Sequence, residues 1–176
     1  MEIRSQNFIK NYFLERLLDA RLYFLSHQNE ETDFFDQIKK VKRILIVLPI
    51  DRTEEINSRK FVKDLQELFG KARISTLDLA SLRKHDSNWL GIPNQQYLSQ
   101  IQREKFDLLM DLNGHHDRIC SYLGALAGTP LRLHASNGKF DKIYNLEIRA
   151  GGGASLSERY QIILSYLSRM LTKKRS

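Results

Sequence analysis

The densest group of chemically capable side chains in the sequence is Asp111-Leu112-Asn113-Gly114-His115-His116-Asp117-Arg118. Two histidines and two aspartates this close could ligate a metal, and one histidine could act as a general base near neutral pH. Neighbouring histidines on a turn diverge, so no metal ion is expected. Asn113-Gly114 is equally an ordinary turn signal, and Asp117 equally a cap for the helix that follows. Asn113, Gly114, His115, His116 and Arg118 stand as candidates for a ligand-binding cleft, with the turn-and-cap reading beside them.

Two further segments have the composition of ligand-binding loops. Pro49-Ile50-Asp51-Arg52-Thr53-Glu54-Glu55 offers Asp51 as a candidate catalytic carboxylate. A phosphate-cradling turn at this place needs glycines, and none precedes Gly70. Glu54 and Glu55 at a helix start would also repel an anion. Dinucleotide and Walker-type phosphate binding are therefore not expected, and no cofactor is predicted. The run Gly151-Gly152-Gly153-Ala154-Ser155 precedes the last helix, where Gly152, Gly153 and Ser155 could present backbone N–H groups to an anion. A hinge is the alternative, since no lysine follows to complete a P-loop. Cys120, among Ile119, Tyr122 and Leu123, reads as a small core residue rather than a nucleophile.

These segments sit between elements of recognisable period. Residues 5–27 carry Ile9, Phe13, Leu17, Ala20 and Phe24 at helical spacing, with Phe8, Tyr12, Leu14 and Leu18 widening the apolar face. Such a helix has two sides to bury, which predicts a homodimer or a protein partner. A polar linker follows. Residues 44–48 form a continuous apolar run of strand length, as in a parallel sheet covered on both faces. Helices over 57–69, 95–105 and 118–127 alternate with strands over 73–79, 106–112, 131–134 and 143–148. A last helix over 155–173 opens with a Ser155…Glu158 capping box. This alternation predicts an α/β fold, a Rossmann-like three-layer sandwich. The sheet is expected to be mostly parallel, with about five strands, and an N-terminal helix is added to it. Residues 1–41 read as the amphipathic helix and linker, and 42–176 as the Rossmann-like domain.

The chain has 176 residues, 41% of them hydrophobic and 28% charged, with only 9 Gly and 3 Pro, which suits one globular domain. One cysteine excludes a disulfide framework. The sequence has no apolar run of the roughly 20 residues that a membrane span needs. The opening residues lack a secretory pattern, so a cytoplasmic setting is expected. Of the net charge of +7, five units lie in Arg159, Arg169, Lys173, Lys174 and Arg175, leaving the rest nearly balanced. That basic C-terminus is a candidate partner surface, open to nucleic acid.

Three stretches resemble the N-terminal half of the ADP-heptose lipopolysaccharide heptosyltransferases, of the glycosyltransferase-B type. Lys42-Arg43-Ile44-Leu45-Ile46-Val47 is similar to their opening strand. Phe106-Asp107-Leu108-Leu109-Met110-Asp111-Leu112-Asn113-Gly114 is similar to a strand and turn of theirs, and Ala125-Leu126-Ala127-Gly128-Thr129-Pro130-Leu131-Arg132 to the helix end and strand after it. Small proteins of Bacteroidota look similar as well. The resemblance covers about half of the chain. It implies that Asp51 corresponds to the family's proposed catalytic base, although no glycine precedes it here. It also implies that the sugar nucleotide belongs mainly to a second domain, for which the sequence leaves no room. The expectation is a stand-alone glycosyltransferase-like domain without autonomous catalysis, a binding or assembly subunit. Two alternatives stand beside it: a sugar-binding or glycosyl-transferring protein completed in trans, and a basic accessory protein of RNA or the ribosome.

Overall fold

A computed structural model describes residue 16 and residues 34–82, 86–87, 92–115, 117–136, 143–151 and 153–172. Apart from Arg16, the helix expected over 5–27 lies outside the described residues. So do His116, Gly152, Lys173, Lys174 and Arg175. Strands β1 (Arg43–Val47), β2 (Arg73–Leu77), β3 (Leu108–Asp111) and β4 (Leu131–His134) form one all-parallel sheet in the order β2-β1-β3-β4. Helices α1 (Phe34–Ile38), α2 (Glu55–Phe69), α3 (Gln95–Arg103), α4 (Arg118–Leu126) and α5 (Leu156–Thr172) flank it. This is the expected three-layer α/β fold, with four strands rather than five.

The strands are apolar throughout because both faces are covered. Ile44, Ile46, Leu108, Met110, Leu131 and Leu133 point into one core, shared with Phe61 and Leu65 of α2 and with Tyr160, Ile163 and Leu167 of α5. Leu45, Val47 and Leu109 point into the other, with Leu98 and Ile101 of α3 and Leu123 of α4. Ile44, Ile46 and Leu108 have no exposed surface, and burying each stabilises the fold by about 1.5–3 kcal/mol. Ile38 and Val41 are buried in the first core, so it takes in residues upstream of Lys42.

The fifth strand expected over 143–148 is reduced to a single parallel bridge between Leu133 and Leu146. The reason is the side chain of Asn145. Its Oδ1 accepts from the Arg132 N–H at 2.8 Å, and its Nδ2 donates to the Pro130 carbonyl at 2.7 Å. A side-chain amide thus takes the outward Arg132 N–H of β4 and the carbonyl just before the strand, and the Leu146 N–H, donating to the Arg132 carbonyl at 3.0 Å, makes a backbone bond at the bridge.

Candidate functional site

In an open parallel sheet the loops leaving two neighbouring strands diverge where the strand order reverses, and a crevice opens there. In the order β2-β1-β3-β4 that point lies between β1 and β3. A cleft of about 470 Å³ occupies it. Pro49, Ile50, Asp51 and Glu54 line it from the loop after β1; Asn113, Gly114, His115 and Asp117 from the loop after β3; Leu156 and Arg159 from the start of α5. Two of the three segments singled out in the sequence therefore meet in one place.

Asn113 forms the floor and holds the two loops together. Its Oδ1 accepts from the Ile50 N–H at 2.8 Å, and its Nδ2 donates to Asp111 Oδ1 at 2.6 Å and to Cys120 Sγ at 3.4 Å. The amide group of this cleft candidate is thus engaged within the protein. Asp111 carries no exposed surface and is satisfied on both oxygens. Oδ1 also accepts from the Asn113 N–H at 3.0 Å, and Oδ2 accepts from the Tyr144 hydroxyl at 2.7 Å. His134, the register partner of Asp111 on β4, has its Nε2 3.6 Å from Oδ2, and its ring stacks on Tyr144 with centroids 4.9 Å apart. Burial, and after it the charge of Asp111, hold the Tyr144 phenol protonated well above its ordinary range.

Asp51 caps the 3₁₀ turn over Arg52–Glu54. Its Oδ1 accepts from the Thr53 N–H at 2.9 Å and from the Thr53 hydroxyl at 2.8 Å. Those two bonds, and after them the charge of His115, lower its pKa below the ordinary carboxylate range. A carboxylate stabilised in this way is a poorer proton acceptor. Asp117 caps α4, its Oδ1 accepting from the Cys120 N–H at 2.8 Å. Arg118 begins α4 but does not line the cleft. The Cys120 thiol is buried and its pKa is raised, by desolvation first and by Asp111 and Asp117 next, as expected for a core cysteine.

The wall from α5 is fixed from below. The Tyr160 hydroxyl donates to the Leu112 carbonyl at 2.7 Å, and its ring packs on Phe61 with centroids 5.0 Å apart. A Cβ at Gly114 would stand 3.4 Å from Leu156 Cδ2, so Gly114 lets the loop lie against the first residue of the helix. Arg159 is anchored by its Nε, which donates to the Ala154 carbonyl at 3.1 Å. The sequence grouped Arg159 with a basic tail. The fold puts it in the cleft, ten residues and so about 15 Å along the helix from Arg169.

In the glycine-rich segment, Gly152 lies outside the described residues. The expected capping box is formed: Ser155 N–H and hydroxyl both donate to Glu158 Oε2, at 2.7 and 2.8 Å, and the Glu158 N–H donates to Ser155 Oγ at 3.3 Å. A carboxylate of the protein already occupies this helix start, and Gly153 adopts a φ of +86° that serves the turn.

Glu54, Leu156, His134 and Tyr144 were not among the candidate site residues read from the sequence. His134 had a signal there, since Leu131-Arg132-Leu133-His134 alternates and places the histidine on the face opposite the leucines. Tyr144 had none, because only the fold brings residue 144 to β3. Among the described residues no group of three or more metal-ligating side chains gathers, and no helix is long and apolar enough to cross a membrane. No family model, curated protein or solved structure matches the chain.

Proposed function

We infer that the domain binds a small hydroxylated ligand, of the sugar class, in the cleft between β1 and β3, and does not by itself transfer a glycosyl group. The volume of about 470 Å³ suits a ligand of that size. Asp51, Glu54 and Asp117 supply carboxylate oxygens for hydroxyl donors, Arg159 and His115 supply donors for ring and hydroxyl oxygens, and Ile50 and Leu156 give an apolar face to C–H groups. Three carboxylates against one arginine disfavour a phosphate, and so favour a neutral sugar over a sugar nucleotide. The resemblance to the acceptor half of a heptosyltransferase cleft supports the same ligand class.

The observation that carries the reading is the state of Asp51. The residue that resembles the family's base is used as a turn cap, and its pKa is lowered by that use. Binding is retained in such a site while base catalysis is weakened. Amide chemical-shift mapping with neutral monosaccharides and with sugar nucleotides tests it. The expected result is shifts at Ile50, Gly114 and His115 with a neutral sugar, at an affinity on the order of 1 mM, weakened by Arg159→Ala. Silence of these amides at saturating sugar, or turnover of a sugar nucleotide by the isolated chain, would overturn the reading.

A further inference from the structure

The charge that looks balanced along the sequence is separated in space. Exposed basic side chains collect at the end of the sheet opposite the cleft, where the strands begin. Lys42 and Arg43 open β1, Lys71 and Arg73 lie in and after the turn into β2, and Lys105 lies in the turn into β3. Arg43 and Arg73 are register partners on adjacent strands, and the Arg73 N–H donates to the Lys42 carbonyl at 2.7 Å. Neighbouring strands stand about 4.8 Å apart, so the starts of β2, β1 and β3 form a row about 10 Å long. Lys40 extends the row toward α1, and Arg103 extends it at the end of α3.

The acids near this row offset it only in part. Glu104 pairs with Arg43 at 3.1 Å, and Asp107 Oδ2 accepts the Lys42 and Arg43 backbone N–H groups at 2.8 and 2.9 Å. Among the described residues, Asp36 on α1 and Asp64 and Glu67 on α2 lie toward this end as well. Favourable interaction with helix C-termini accounts for Arg103 and for Arg169 of α5, which sit in last turns, but not for the lysines of the strand starts. Carboxylates dominate the opposite end, in the cleft.

We propose that this N-terminal edge of the sheet binds the phosphate backbone of a single-stranded nucleic acid, independently of its sequence. A row of exposed point charges fits a flexible linear polyanion. It encloses no single phosphate, and among the described residues no helix or ribbon projects from it to enter a duplex groove. Among the described residues the large exposed apolar side chains Ile50 and Ile56 lie at the cleft end, and near this row there is Phe35 of α1, which by itself is too little apolar surface to favour a lipid contact.

The experiment is fluorescence anisotropy of the full chain with a labelled, unstructured RNA oligonucleotide. If four phosphates are neutralised, affinity falls about 50-fold between 50 and 200 mM salt. Charge reversal at Lys42, Lys71, Arg73 and Lys105 together (each →Glu) weakens binding at low salt by tenfold or more. The paired reversal Arg52→Glu and Arg59→Glu, at the cleft end, leaves it within threefold. Acetylation of Lys42, Lys71 and Lys105 in the wild-type chain is slowed by the RNA, a readout that needs no variant. Three results would each overturn the proposal: equal losses from both sets of reversals, binding that survives the four reversals but vanishes on truncation after Thr172, or capture by phosphatidylserine vesicles without any affinity for RNA.

Discussion

Replacing Asn113 by aspartate is predicted to harm the protein more than replacing it by alanine, although aspartate preserves its shape. Asn113 is 6% exposed, and its amide joins the Ile50 N–H, Asp111 and Cys120. Alanine removes a bond to a buried charge, worth about 1.5–3 kcal/mol, and strands a partly buried N–H at about 1 kcal/mol, so about 3 kcal/mol is lost. Aspartate keeps an acceptor for Ile50 but sets a second carboxylate where a donor stood 2.6 Å from Asp111. Breaking a buried charge interaction and adding a like charge raises the loss to about 5 kcal/mol. Urea unfolding at pH 7 measures both: with a slope of about 2 kcal/mol per molar, the midpoint falls by about 1.5 M for Asn113→Ala and about 2.5 M for Asn113→Asp. In the aspartate variant the facing carboxyls share a proton that the unfolded chain binds less tightly. Its deficit therefore shrinks as pH falls toward 5 and returns as pH rises. An aspartate variant no worse than the alanine one, or a difference between them that ignores pH, would refute the role given to the Asn113 amide.

Cys120 is buried with a raised pKa, so the native protein is expected to resist a thiol reagent at pH 8 and to react with one equivalent only once denatured; rapid labelling of the folded protein would contradict its placement. Gly124 of α4 has no atom closer than 3.8 Å to where a Cβ would stand, so Gly124→Ala should raise stability by about 0.5–1 kcal/mol, whereas Gly128→Ala, at a φ of +68°, should lower it by about 1 kcal/mol; thermal melts of the pair decide. Glu158 has its pKa lowered by the Ser155 N–H and hydroxyl, so its contribution is full above the ordinary glutamate range and is lost as pH falls through the lower folded-state value. Glu158→Gln should therefore differ from wild type at pH 7 and converge with it at pH 3, provided both remain folded there.

The strands at 44–48 and 106–112 were legible because parallel strands covered on both sides must be apolar without interruption. The helices between strands carried their own stops, such as Gly70 and Gly128, both at positive φ. The edge at 143–148 was misleading. Its apolar residues Ile143, Tyr144, Leu146 and Ile148 are buried, but Asn145 spends its side chain on the backbone of β4, and no periodicity encodes that choice. Within the cleft, Asp51 and the loop after β3 were visible as polar residues following strands. Arg159 was not, because it counted with the basic residues further along the same C-terminal segment and only the docking of α5 through Tyr160 brings it to the loops. Likewise, a charge count by segment left the body of the chain neutral, whereas a parallel sheet gathers every strand start at one end.

The amide of Asn145 also governs how the sheet can grow. An unprotected edge strand is a template on which another chain adds by backbone pairing. On the β4 side, a neighbour that bonds through a side chain ends the ladder after one bridge, so the edge is terminated from within. On the other side β2 pairs only with β1 among the described residues, and its edge begins beside Lys71 and Arg73. Like charges meeting there resist the stacking of one copy against another. The same lysine and arginine that would attract a polyanion thus act as gatekeepers against fibrillar self-association, and neutralising them exposes the chain to it.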